Sequence, residues 1–310
     1  MKNIKGFLES KTLYKTGLRQ RAATSRDLAK AAPKRGIYSD KYSNGRMVLI
    51  GGSGRFHGAP AMASLAAYGT LAALRVGAGY AKTYVPEAMA GAVRASSPNI
   101  IVSSCGKGIA LTNDMKKDIS RTDAVVIGMG MESARASETA SRRIILYCQS
   151  RGIKTIVDAG AIASLRPLLG KRLKEILITP HDSEFSRLLG VAVPKRDLKA
   201  RIRTAFGASK AFGINILLKG HVTIVTNGKE VKLVKSHSAS LATMGTGDVL
   251  DGIIGGYAAT GAGVFDAAVA GAYLHSEIGD ELYKEKGNHI LASDVVERIP
   301  AIIKKFDKRR

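Results

Sequence analysis

A chain of 310 residues with 45% hydrophobic content is long enough for one large α/β domain, or two small ones, around a substantial core. Its two cysteines, Cys105 and Cys148, sit in unrelated contexts, which argues against a disulfide scaffold or a CxxC zinc site and fits a reducing, cytoplasmic setting. The formal charge of +23 would suit a polyanion, but the bases are dispersed, aromatics are 5% and tryptophan is absent, so specific nucleic-acid recognition is not expected.

The first residues contain no apolar stretch long enough for a signal peptide, and no run anywhere has membrane length. Residues 1–23 read as a basic extension and 24–310 as the folded domain. Thr24 and Asp27 form a helix-start pattern, and Pro33 ends that segment. From residue 46 onward, short β-branched runs alternate with helical stretches. Strands are predicted at 47–50, 81–85, 100–103, 124–127, 155–158, 176–179, 216–218, 223–226 and 231–234. Helices are predicted at about 60–76, 133–150, 183–189, 197–212, 248–259, 265–284 and 293–305. The alternation implies a mostly parallel sheet with helices on both faces. The "NGKE" between the last two strands signals a hairpin and an antiparallel edge.

Ligands of open α/β sheets bind beyond the carboxyl ends of the strands, so motifs that follow strands carry the functional information. The first, "VLIGGSGRFHGAP", runs from a strand through glycines into an Ala/Gly-rich helix, yet has neither P-loop nor dinucleotide spacing. "VVIGMGM" likewise ends a strand in glycines, and Asp158 ends the next one in "IVDAGAIASL". "ILITPHDSEFSRLLG" puts His181 and Glu184 at the mouth of a helix, where the acid favours the helix dipole. In "ILLKGHVTIVTNG", Lys219 stands at a strand end beside Gly220, able to reach a phosphate or to be a solvated turn lysine.

"MGTGDVLDGIIGG" is the most informative stretch. It sets the N–H groups of Thr246, Gly247 and Asp248 at a helix start free of bulky side chains, which is an anion site by geometry and dipole. A carboxylate would repel a bound phosphate. Asp248 makes sense there as a base that takes a hydroxyl proton while the N–H groups stabilise a transferring phosphoryl group; the alternative is a plain helix cap. Asp251, one turn on, reads as structural.

These motifs, in this order, resemble the ribokinase-like superfamily and, within it, the ADP/ATP-dependent NAD(P)H-hydrate dehydratases, over about residues 24–305. "GTGD" carries the superfamily; "TPHxxEF" together with "GAP…GAG" carries the narrower likeness. The resemblance implies a three-layer α/β fold. It also implies repair of the S-form of hydrated NADH and NADPH, with ADP favoured over ATP as phosphoryl donor and Mg²⁺ neutralising the polyphosphate. By the same resemblance, Ala59 and Gly130 would line the hydrate site and His181 would contact the substrate near its reacting end. Lys219, Gly220, His221, Val222 and Thr223 would hold the nucleotide, together with Gly245, Thr246 and Gly247, and Asp248 would be the base. No metal ligand is assigned.

Two stretches differ from the family pattern: "SHSASLATMGTGD", where an Asn-Pro-Gly-like lead is usual, and "KYSNGR", where His-Lys-Gly is usual. The epimerase domain fused to many relatives has no counterpart here, so that activity is expected from a separate protein. A homo-oligomer, a tetramer, is the expected assembly. The competing readings are a ribokinase-like kinase of a small alcohol, such as a vitamin precursor or sugar, and a basic binding protein that keeps the fold without the activity.

Overall fold

The central strands are runs of Val, Ile and Leu whose alternate side chains enter two different cores. In β2 (Arg46–Ile50), Met47 and Leu49 join one core, and Val48 and Ile50 join the other. The same division holds in β5 (Ala124–Ile127), with Val126 on one side and Val125 and Ile127 on the other. Strands apolar on both faces need a helical layer on each. The computed structural model describes residues 19–53, 60–132, 134–171, 173–236 and 238–307, with only the backbone of 60–64.

The remaining strands are β1 (Gln20–Ala22), β3 (Tyr80–Val85), β4 (Ile101–Ser104), β6 (Lys154–Val157), β7 (Ile176–Ile178), β8 (Asn215–Leu218), β9 (Val222–Thr226) and β10 (Val231–Lys235). The sheet order is β1-β10-β9-β8-β7-β6-β5-β2-β3-β4. Among the described strands only the β8–β9 and β9–β10 pairs are antiparallel. The expected hairpin is present: Gly228 has φ 76°, and Asn227 Oδ1 accepts the N–H groups of Lys229 and Glu230 at 2.9 and 3.0 Å.

One helical layer consists of α1 (Ser25–Ala31), α2 (Pro60–Arg75), α3 (Glu87–Ser96), α9 (Thr246–Ala259), α10 (Val264–Lys286) and α11 (Ala292–Ile303). The other holds α4 (Asn113–Ile119), α5 (Arg135–Ser150), α6 (Ala159–Ile162), α7 (Asp182–Leu189) and α8 (Leu198–Phe212). This is the expected three-layer α/β/α arrangement.

Several elements depart from the sequence reading, among them the four-residue helix α6, which it does not predict. Residues 20–22, inside the expected extension, form β1 and pair in parallel with β10, so the sheet begins before residue 24. Helices α3 and α4 were not anticipated. The first, "EAMAGAVRAS", has small residues where an apolar stripe would be read, and the second is a seven-residue helix capped by Thr112, whose Oγ1 accepts the Met115 N–H at 3.1 Å. What positions the site is the parallel core: β2, β5, β6, β7 and β8 all point their carboxyl ends to one edge.

Candidate active site

Helix α9 begins at that edge. Gly245 precedes it with φ 90°, a conformation that favours glycine, and this turns the chain into the helix. The Thr246 hydroxyl bonds to the carbonyls of Leu241 and Thr243 at 2.6 and 2.8 Å, and so fastens the loop leading in. The Thr246 N–H also points back, to the Thr243 carbonyl at 3.4 Å. Of the three N–H groups expected to be bare, therefore, Gly247 and Asp248 keep theirs without a backbone carbonyl partner among the described residues, and Thr246 does not.

Asp248 stands at the third position of the helix. Burial, and then the nearby charge of Asp158, push its pKa up to about 7, although Lys219 pulls the other way. A carboxyl that changes charge near neutrality suits a general base.

Below it lies a charged cluster that the sequence reading did not assemble. Asp158 follows β6 and is buried; its Oδ1 accepts from Lys219 Nζ at 2.8 Å. Burial opposes its ionisation, but the Lys219 ammonium and the hydrogen bonds around it prevail and hold the carboxyl below its ordinary range. Lys219 itself is stripped of most of its water, and Asp158 and Asp251 more than restore its charge. Asp251, fully buried and lying against Asp158 and Thr179, is pushed well above the carboxylate range by burial and by the Asp158 charge. None of the oxygens of Asp251 and Thr179 side chains makes a well-formed hydrogen bond among the described residues. A dry site with one ammonium supports one full carboxylate, which is Asp158. Lys219 is thus a held charge beneath the helix start, not a free side chain: a methyl on Gly247 would come within 3.7 Å of its Nζ.

His181 and Glu184 form a reciprocal cap on α7. His181 Nδ1 accepts the N–H groups of Ser183 and Glu184 at 3.2 and 3.3 Å, and Glu184 accepts the His181 N–H at 2.9 Å. Glu184 does more than favour the dipole. His181 Nε2 lies 3.5 Å from Glu184 Oε1, and a backbone bridge between His181 and Lys219 ties the loops after β7 and β8 together.

Arg201, on α8, is the residue that sequence reasoning missed. It is 4% exposed and spends its guanidinium on Asp182 Oδ1 at 3.0 Å and on the carbonyls of Val222 and Lys219, both at 2.9 Å. Gly220 is glycine because a Cβ there would come 2.5 Å from the Arg201 guanidinium. Arg201 therefore turns the loop carbonyls inward and fixes the course of residues 219–222. Only its sequence distance from that loop concealed it.

These elements enclose a cavity of about 570 Å³ lined by His181, Lys219, Gly220, His221, Thr223 and Gly247, with an apolar wall that includes Leu241 and Ala272. The size suits a nucleotide-sized ligand. His275 also lines it; burial lowers its pKa to about 4, so its imidazole is neutral. Val222 and Gly245 lie just outside this lining and shape the two loops. Gly130, with φ 63°, sits past the end of β5 and does not line this cavity. Beside it, a Cβ on Gly128 would overlap the Asp158 carbonyl, so the two strand ends touch through bare backbone. Ala59 lies outside the described residues.

Comparison with known proteins agrees with this architecture. A crystal structure of a ribokinase-like superfamily protein from Enterococcus faecalis superposes with a TM-score of 0.78 at 24% identity, covering 95% of this chain and 98% of that one. An ADP/ATP-dependent NAD(P)H-hydrate dehydratase of Bacillus subtilis, crystallised with ATP and Mg²⁺, gives 0.73 at 23% identity, covering 94% and 100%. At this identity both speak for a ribokinase-like fold. The family model for NAD(P)H-hydrate dehydratase matches residues 47–301. The chain belongs to the NAD(P)H-hydrate dehydratase family. Among its relatives, the ADP-dependent (S)-NAD(P)H-hydrate dehydratase of Cenarchaeum symbiosum is 33% identical over 287 residues, which is 91% of this chain and 96% of that protein. Within the dehydratase family, then, the start of α9 and the loops after β6, β7 and β8 form the best-defined candidate site of this member. No helix among the described residues is long and apolar enough to cross a membrane.

Proposed function

We propose that this protein restores NADH and NADPH from their S-hydrates at the expense of ADP, with Asp248 as base. The observation that carries the reading is the placement of Asp248: a carboxyl that titrates near neutrality at a helix start, beside the Gly247 N–H and above a held ammonium.

In the hydrate a hydroxyl sits on the carbon next to the ring nitrogen, and hydroxide is a poor leaving group. Asp248 takes the hydroxyl proton as the oxygen attacks the terminal phosphorus of ADP. The bridging P–O bond breaks and AMP departs. The Gly247 and Asp248 N–H groups at the positive end of the α9 dipole, with Lys219 below, stabilise the charge on the transferring phosphoryl group. The ring-nitrogen lone pair then expels phosphate, and loss of a proton from the neighbouring ring carbon restores the dihydronicotinamide. Residues 219–223, set by Arg201, hold the nucleotide, and His181, Gly130 and Ala59 bound the substrate side.

Among the described residues no group of three or more His, Cys, Asp or Glu is placed to hold a metal. Mg²⁺ would be carried chiefly on phosphate oxygens and water, with room for one or two carboxylates beside it, and would shield the polyphosphate. The same reading puts the enzyme in the cytoplasm as a homo-oligomer, a tetramer, with an epimerase activity supplying the S-hydrate. Size-exclusion with light scattering checks the assembly; a monomer at micromolar concentration refutes it.

The deciding experiment adds hydrated NADH to the protein with ADP or ATP and Mg²⁺ and follows the reduced-nicotinamide absorbance band. Recovery of NADH with release of AMP and phosphate is expected. Accumulation of a stable phosphorylated substrate without NADH would identify a simple kinase instead.

A further inference from the structure

Between α1 and β2 the chain makes a β-turn, closed by the Ser39 N–H donating to the Gly36 carbonyl at 3.0 Å. The residues at its tip are Ile37 and Tyr38, 77% and 95% exposed. Turn tips are ordinarily Gly, Pro, Asn, Asp or Ser, and a large apolar pair standing in water costs free energy unless something covers it. The projection is fixed at its root. Arg35 donates to the Gly77 carbonyl at 2.8 Å, and Asp40 Oδ1 accepts the Tyr42 and Ser43 N–H groups at 2.9 and 2.7 Å. Tyr42 is half-exposed, with the Arg46 guanidinium 4.5 Å over its ring centre.

The tip belongs to a basic face. Arg46 opens β2, whose carboxyl end is at the candidate active site, so the turn stands at the opposite, amino edge of the parallel strands. Exposed bases enter at the same edge: Arg121 before β5, Arg151 before β6, and Lys171 and Lys174 before β7. They are dispersed in the sequence, and the parallel pairing of β2, β5, β6 and β7 gathers them on one side. Arg46 Nη1 also donates to the Arg121 carbonyl at 3.3 Å, which ties the root of the turn to this row. The acids of these loops are turned to backbone: Asp40 as above, Asp123 Oδ2 to the Arg46 N–H at 2.8 Å, and Glu175 Oε2 to the Val264 N–H at 3.3 Å.

An apolar tip within a basic surface is complementary to a partner that is anionic outside and apolar within reach. A second copy does not fit, since it carries the same +23 and the same basic face. We infer that this face docks on an anionic lipid bilayer, with Ile37 and Tyr38 entering the headgroup region and the bases of the amino edge against the lipid phosphates. Apolar insertion and a basic patch reinforce each other at such a surface, and tyrosine favours its depth. The contact is with the surface only, because no helix among the described residues is long and apolar enough to cross. The active-site edge then points away from the bilayer and stays open to dissolved substrate.

The chain contains no tryptophan, so Tyr38→Trp places a single fluorescent reporter at the tip. Its emission should shift to the blue when the full chain meets vesicles of equimolar phosphatidylglycerol and phosphatidylcholine, and vesicles of phosphatidylcholine alone should give no shift. In sedimentation with the mixed vesicles, Ile37→Ser/Tyr38→Ser should weaken binding about tenfold, and Arg121→Gln/Lys174→Gln about tenfold or more. These side chains are exposed, so neither variant should lower the thermal midpoint. No shift with the mixed vesicles, or equal sedimentation of the Ile37→Ser/Tyr38→Ser variant, would overturn the proposal. A shift given by duplex DNA or polyglutamate and not by vesicles would assign the face to a soluble polyanion and overturn it equally. Neither readout depends on turnover, so both stand apart from the proposed dehydration.

Discussion

The Lys219 ammonium stands 2.8 Å from a carboxylate oxygen of Asp158, 61 residues away in the chain, and joins two strand ends directly under the N-terminus of α9. The lysine that the sequence offers as a phosphate contact is therefore committed before any ligand arrives. The pair is buried, and removing one partner leaves the other charge uncompensated. Lys219→Met should cost about 3–5 kcal/mol of stability, read from urea unfolding, and adding Asp158→Asn should recover most of it. A single-variant loss below about 1 kcal/mol would mean that water reaches the pair freely.

Asp248→Asn keeps the size of the side chain and its place at the helix start, but it cannot take the hydroxyl proton. Turnover should fall by roughly 10²–10⁴-fold, while ADP affinity stays close to that of the parent and the thermal midpoint does not fall. Near-normal turnover with lost stability would make the residue a cap.

Proton uptake gives a separate handle on the same carboxyl. Because Asp248 must be ionised to act as base, kcat/KM should drop as pH falls through about 7. Stability moves in the opposite sense. The folded pKa is raised above the ordinary carboxyl value of 3.8, so the folded state binds the proton more tightly, and this contribution is complete below that value and lost as pH rises through about 7. Measured against Asp248→Asn across that window, the parent should lose stability with rising pH; a flat difference would refute the assignment.

Arg201→Lys keeps the positive charge but loses the fork that grips Asp182 and two carbonyls at once. The loop at 219–222 should loosen, so KM for ADP should rise about tenfold with a smaller change in kcat. Equal loss in kcat with KM unchanged would show that the loop does not hold the nucleotide.

The sequence and the structure agree best where chemistry follows a strand. Lys219 and His181 are legible because an aliphatic run ends directly before a polar residue or a proline, and parallel strands bring such ends to one edge; Asp248 is legible instead from the Gly-Thr-Gly that opens an apolar helix. Relations across the sheet are not legible. Nothing in "IVDAGAIASL" announces that Asp158 meets Lys219, or in "LKARIRTAF" that Arg201 reaches the loop at 219–222, since these contacts depend on which strands become neighbours. The Thr246 amide could not be foreseen as occupied, because the turn made by Thr243 and Gly245 is irregular. Helix α3 escaped notice because alanines and Gly91 replace the large apolar residues that mark a stripe.

Strand β1 pairs with β10 in the register Gln20 to Val231, so its partner is made some two hundred residues later on the ribosome. Through that interval its backbone groups are open to any other strand edge, including that of a neighbouring nascent chain. Contacts of such sequence separation also close late, because the intervening loop must be ordered first. The bases of residues 2–46 surround this strand in the sequence, and like charge of that kind opposes edge-to-edge association between chains.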